Sequence, residues 1–369
     1  MSHHTTTATH AAVHDLYIDG QWVAGQGSIA NLNPSDTRDV IGHYAQASVD
    51  QVADAIQAAK RGQSQWAQSG LEQRYSVLMA IGDELIARKA ELGELLAREE
   101  GKTLAEGVGE VHRSGQFFHY YGAEVLRQID ERADSVRPGV EVEVRREPVG
   151  VVGVISPWNF PMATAVWKIA PALAFGNSVV FKPANLVPAS AWALTEIIHR
   201  QSLPAGTFNL VMGPGSSIGD ELISSPDIHA LSFTGSTEIG RLLYRQSAST
   251  VKKLVLELGG HAPVIVFKGA DLDRAVEEVI KAKFATSGQD CLGANRIYVE
   301  RPVYEAFCAR FTEATKALRL GSGIEDPDIG PLMNAAAIAK QQEHVADALA
   351  KGAALTCGGA VSGLGPLFY

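Results

Sequence analysis

The stretch VGVVGVISPWNFP, residues 149–161, decides how this chain is folded. Up to Ile155 it runs through valines and glycines with no polar interruption. That pattern predicts a β-strand covered on both faces. Beyond Ser156, Pro157 and Pro161 bracket Trp158 and Asn159 and make the backbone stiff and extended. A doubly covered strand belongs to a parallel sheet, where ligands bind outside the carboxyl ends of the strands.

Outward from this strand the same rhythm repeats. Strands are expected at 149–155, 178–182, 207–211, 229–233 and 253–256, with helices between them at 162–175, 188–201, 216–224 and 236–248. This alternation predicts an α/β fold with an open parallel sheet. A second α/β unit begins near Gly259, with strands in APVIVF (262–267) and RIYVE (296–300) and helices at 271–286 and 302–318. On the amino-terminal side, LYIDGQWVAG (16–25) predicts a hairpin turning at Asp19-Gly20. Helical periodicity follows over 49–68 and 71–99 and again after Lys102, and VEVEVRRE (140–147) alternates like a half-exposed strand.

Of the 369 residues, 46% are hydrophobic and 20% charged, and the formal net charge is −9. The acidic balance argues against a nucleic-acid partner, and no apolar run is long enough for a membrane span. Three cysteines, Cys291, Cys308 and Cys357, without a C-x-x-C pattern argue against a disulfide framework or a zinc site and for a cytoplasmic setting. No metal site is expected. His3, His4, His10 and His14 fall in a polar segment, residues 1–15, read as a disordered tail.

The chemistry is sought just after each strand. Asn159, held by its prolines, is placed either to donate to a developing oxyanion or to make a local turn bond. Lys182 ends a buried strand, where it meets either a ribose or phosphate group or solvent. GPGSSIG (213–219) opens a helix but lacks the G-x-G-x-x-G spacing. In TGSTEIG (234–240), Ser236 begins a helix, as an N-cap or as a pyrophosphate ligand. Glu257 ends an apolar strand, where burial would raise its pKa and suit it to proton abstraction. Cys291, in the loop SGQDCLGANR (287–296), lies near helix termini that lower a thiol pKa, although a lone cysteine is more often inert packing.

Taken together and in order, PWNFP (157–161), KPA (182–184), FTGSTEIG (233–240), LELGG (256–260) and GQDC (288–291) resemble the aldehyde dehydrogenase superfamily from about residue 16 to the end. The resemblance implies a parallel-sheet cofactor domain (16–126 and 148–258), a β-hairpin oligomerisation arm (127–147) and an α/β catalytic domain (259–369). It makes Cys291 the nucleophile, Asn159 an oxyanion donor and Glu257 the base that activates water. It implies NAD or NADP held by Ile155, Ser156, Pro157, Trp158, Lys182, Ala184, Asn185, Gly215, Phe233, Thr234, Gly235, Ser236, Ile239, Leu258 and Gly259. Asn185, where many NAD-preferring members carry Glu, leaves both cofactors open.

SVRPGVEVEVRREPVGVVG (135–153), AVWKIAPALAFGN (165–177) and KPANLVPASAWAL (182–194) look most like α-ketoglutaric semialdehyde dehydrogenases, which form homodimers or homotetramers. Succinic semialdehyde dehydrogenases carry Arg where this chain has Trp167, which weakens that alternative. Superfamily members continue roughly a hundred residues past Tyr369, so the expectation is a chain truncated at its carboxyl end. A non-catalytic dinucleotide-binding remnant stays open beside the enzyme reading.

Overall fold

The computed structural model describes residues 12–127 and 129–369. Its centre is a seven-stranded sheet whose spatial order is Lys253–Leu258, Ala230–Gly235, Val151–Ile155, Ser178–Lys182, Phe208–Leu210, Leu16–Ile18 and Gln21–Val23. The first five strands are parallel, and the hairpin Leu16–Val23 adds two antiparallel strands at one edge. The hairpin turns at Asp19 and Gly20, whose φ values of 51° and 80° suit the Asp-Gly pair.

The chain starts the parallel sheet in the middle, at Val151–Ile155. It winds one way through Ser178–Lys182 and Phe208–Leu210, then returns to the other side as Ala230–Gly235 and Lys253–Leu258. The crevice where winding reverses is the expected ligand position in such sheets. Register pairs Ile155 with both Lys182 and Phe233, and Phe233 with Leu256. The predicted strand ends therefore finish on one edge of the sheet.

The helices Val49–Trp66, Ala163–Ala174, Pro188–His199 and Thr237–Ser247 cover the sheet, and Gly215–Ser224 packs against the first and last of them. Valines and leucines of the strands pack with Ile56, Trp66, Ile169, Leu173 and Ile197 in one large core. Trp66 also satisfies its indole N–H on the carbonyl of Leu173, 2.8 Å away. The long periodic segment 71–99 is two helices, Leu71–Ala87 and Lys89–Glu100. They break at Arg88, which has non-helical backbone angles (φ −95°, ψ 11°).

Val13–His14 forms a short strand paired in parallel with the long strand Asp36–Gln46, and His14 stacks on Tyr44 at 4.7 Å. The expected tail therefore ends before these two residues, because sheet pairing and ring stacking hold them; residues 1–11 lie outside the described residues. Glu131–Asp134 and Glu141–Val144 pair as an exposed antiparallel hairpin. Toward the carboxyl end, Pro263–Val266 and Arg296–Val299 pair in parallel. Val266, Val276, Val279 and Phe307 form a small core there, while Ile265, Phe267 and Tyr298 are exposed.

Candidate active site

A cavity of about 660 Å³ opens at the carboxyl edge of the parallel sheet. Its walls come from the ends of three strands: Ile155 to Trp158, Lys182 with Ala184, and Phe233 to Ser236. The amino-terminal turns of two helices close it through Gly215 and Ile239. Twelve of the residues assigned to a cofactor from the sequence thus line one cavity. Three do not. Leu258 packs against Gly240 and Gly259 lies against Thr237, and neither lines the cavity. Asn185 lines a neighbouring apolar cavity with Leu32, Met333 and Leu367, because the chain turns away after Ala184.

Ser156, Lys182, Ser216, Asp220, Thr234, Ser236 and Gln246 supply the cavity's polar side chains. Ser156 has a buried hydroxyl with no partner. Lys182 Nζ donates to the carbonyl of Pro183 (2.9 Å), and burial lowers its pKa to about 8. Ser236 caps the helix Thr237–Ser247 through the amide of Ile239, so the plain N-cap reading of its hydroxyl holds. The cap leaves that helix's positive end at the cavity wall. A phosphate-bearing dinucleotide fits a cavity of this size, orphan hydroxyl and buried cation.

Beyond this cavity the loop carrying Cys291 meets two strand ends. Asn159 donates through Nδ2 to the carbonyl of Gln289, 2.8 Å away and two residues before the cysteine. At the other, the end of Lys253–Leu258, a side chain on Gly260 would meet the carbonyl of Cys291 at 3.5 Å, so the ELGG turn abuts the same loop. Cys291, Asn159 and Glu257 are therefore brought together.

Two electrostatic expectations are corrected. Glu257 is exposed rather than buried, because it ends an edge strand whose 253, 255 and 257 face is open. The thiol of Cys291 is pushed up, not down. Burial is the main cause, with the neighbouring Asp290 carboxylate and the charge of Glu257 adding to it.

Lys168 was missed from the sequence as a site residue. It is buried on the otherwise apolar helix Ala163–Ala174, and its Nζ donates to Thr234 Oγ1 at 2.6 Å and to the carbonyl of Thr164 at 3.0 Å. Burial lowers its pKa to about 8, against the charges of Glu257 and Cys291. A single lysine among the apolar residues of VWKIAPAL was the available signal.

A thiol, an amide donor and a carboxylate thus stand beside a nucleotide-sized cavity at the carboxyl edge of an α/β sheet, the kind of site an enzyme builds. The chain belongs to the aldehyde dehydrogenase family, whose model matches residues 22–367. It is 40% identical over 355 residues to a glutarate-semialdehyde dehydrogenase of Pseudomonas aeruginosa, covering 96% of this chain and 74% of that protein. It is 40% identical over 354 residues to a succinate-semialdehyde dehydrogenase (NADP(+)) of Escherichia coli, covering 95% and 73%. The fold superimposes on the crystal structure of a succinate-semialdehyde dehydrogenase from Burkholderia pseudomallei with a TM-score of 0.94 at 40% identity, covering 96% and 74%.

Proposed function

We propose that this aldehyde dehydrogenase oxidises a short aldehyde carrying a carboxylate at its far end, with NAD or NADP as acceptor, and that the substrate is α-ketoglutaric semialdehyde. The observation that carries the catalytic reading is the meeting of Cys291, Asn159 and Glu257 beside the strand-end cavity. The relatives support the tail: both similar curated proteins are named for semialdehydes of dicarboxylic acids. So does Arg113, exposed over the ring of Phe117, which itself meets Trp167 edge-on at 6.2 Å. Its polar partner is Gln116, not a carboxylate. The sequence motifs favour the α-keto acid, and the Escherichia coli relative keeps succinic semialdehyde as the second reading.

In this mechanism the sulfur of Cys291 bonds to the aldehyde carbon and the carbonyl oxygen takes the electron pair. Because the thiol pKa is raised, its proton must leave as the bond forms, and Glu257 is within electrostatic reach. Asn159 Nδ2–H and the backbone N–H of Cys291 steady the oxyanion. Ser156, Lys182 and the Thr237–Ser247 helix end would hold the dinucleotide, which when bound supplies the hydride acceptor for oxidation to the thioester. Glu257, exposed to solvent, gives the thiol proton up to bulk water; it then takes a proton from the attacking water as the water oxygen adds to the acyl carbon, and Cys291 leaves as thiolate. The product is a free carboxylate. The exposed hairpin of residues 131–144 serves as the assembly arm.

The test is a panel of α-ketoglutaric, succinic and glutaric semialdehydes and propanal, each with NAD and with NADP, followed by formation of reduced dinucleotide. The expected result is highest kcat/KM for α-ketoglutaric semialdehyde. Preference for propanal would overturn the anionic-tail reading. Dinucleotide binding without turnover on any aldehyde would overturn the catalytic one.

A further inference from the structure

We infer that Lys102, Glu106 and Glu110 form a clamp that holds Asn159 in register with the Cys291 loop, as positioning residues for the thiol addition. The inference rests on the oxyanion reading of Asn159 given above.

Lys102 lies just before the helix Leu104–Val125, and Glu106 and Glu110 lie in its first two turns. The side chains of Lys102 and Glu110 are buried, and Lys102 Nζ lies 2.6 Å from Glu110 Oε2. The same ammonium donates to the backbone carbonyl of Asn159 at 2.9 Å and sits over the ring of Phe160, 4.3 Å from its centre. Glu110 Oε1 accepts from the amides of Met162 and Ala163, both at 2.9 Å. One ion pair thus grips both ends of the turn that presents Asn159.

Glu106 reaches the other arm of the site. Its Oε2 completes the capping box with Thr103, and its Oε1 accepts from the amide of Thr286 at 2.7 Å. Thr286 and Ser287 hold φ values of 50° and 56°, a left-handed conformation that a β-branched residue rarely adopts. Such conformers persist only where surrounding contacts over-determine them. The bond from Asn159 Nδ2 to the carbonyl of Gln289 closes the ring from helix to turn to loop and back to helix.

A buried ion pair is seldom more stabilising than apolar side chains of the same volume. This one is placed to fix geometry. Burial opposes the charge on Lys102, but Glu110 and Glu100 outweigh it and hold the ammonium form above the ordinary lysine range. Nothing else along this face supplies a cation to the Asn159 carbonyl among the described residues.

The test uses the full chain and the aldehyde of the panel with the highest kcat/KM. Lys102→Met leaves Glu110 unpaired inside the protein, so the double variant Lys102→Met/Glu110→Gln is measured beside it, with thermal unfolding as the check on folding. In folded variants kcat falls by at least about tenfold, while KM and dinucleotide affinity stay within about threefold. In an Asn159→Ala background the Lys102 substitution costs less than about twofold more, because the amide it positions is gone. Glu106→Ala lowers kcat, and Glu106→Gln, which keeps an oxygen for the Thr286 amide, restores it.

Three results overturn the proposal: Lys102 variants with undiminished kcat, losses that multiply with Asn159→Ala, or no rescue by Glu106→Gln. If Asn159→Ala is impaired while the Lys102 variants are not, the clamp fails and the oxyanion reading stands. If Asn159→Ala itself keeps full turnover, the oxyanion reading fails and the clamp falls with it.

Discussion

The cavity wall and the cysteine loop lie side by side but are built by different means. The wall is made of strand ends in register, Ile155 beside Lys182 and Phe233, backed by a large buried core. Backbone hydrogen bonds and apolar burial set its geometry with little help from individual polar side chains. The loop from Ala285 to Gly293 has three successive left-handed residues, Thr286, Ser287 and Gly288. It is tied down by distant groups: Glu106 on the Thr286 amide, Asn159 on the Gln289 carbonyl, and Gln289 Oε1 on the amide of Met333. The wall is a product of the fold, whereas the loop is a product of a few specific bonds.

The sharpest way to separate the regions is Cys291→Ala. Turnover should fall by about a thousandfold or more while dinucleotide binding at the wall survives. Loss of both in a folded variant would show that the regions are not independent. Binding by fluorescence and steady-state kinetics on one preparation decide it.

Lys168 stands where the regions meet, and its pH behaviour tests the joint. It holds its proton less tightly folded than unfolded, because burial lowers its pKa from 10.5 to about 8. Between those values the unfolded chain carries more protons, so stability rises with pH across that window and the penalty is fully present below it. Lys168→Met should flatten that rise by at most about 3 kcal/mol. Denaturant unfolding of both proteins across the window measures it; an unchanged slope would mean the lysine is better solvated than its burial implies.

The packing of the sheet behind the wall is tested by Gly62→Ala. A β-carbon there would lie 2.3 Å from the amide nitrogen of Thr207, with backbone rather than a flexible side chain in the way. The cost should be about 2–3 kcal/mol in urea unfolding, with Cys291 alkylation in the remaining folded protein unaltered.

The smallest expected effect is in the loop. Asp290→Asn removes a carboxylate that holds the Cys291 thiol up, so the midpoint of its alkylation by iodoacetamide should move to lower pH. A midpoint that does not move would leave burial and Glu257 as the causes.

Much of the wall was legible in the sequence. Runs such as VGVVGVI and SVVFK can only be doubly covered strands, and the residues after them fall at one sheet edge. Asn185 escaped because one turn of irregular chain after Ala184 carries it into the next cavity. The break at Arg88 escaped because helical periodicity continues on both sides of it. In the loop, Cys291 was readable only through the motifs around it, and its electrostatics were misjudged. Helix termini counted for less than burial and Asp290.

By itself the sequence determined the strands of the parallel sheet, in what order they alternate with helices, and which side chains follow them, but not the long paired strands Gly27–Asn33 and Asp36–Gln46. These follow from local apolar pattern and turn chemistry, which neighbouring residues carry. Tertiary structure alone decided that Glu257 faces solvent and that Cys291 holds its proton. It also decided that Lys168 reaches Thr234, and that Lys102 and Glu106 grip the two arms of the site. Desolvation and long-range hydrogen bonds depend on what is packed against a group, and those partners lie 57 to 180 residues away along the chain.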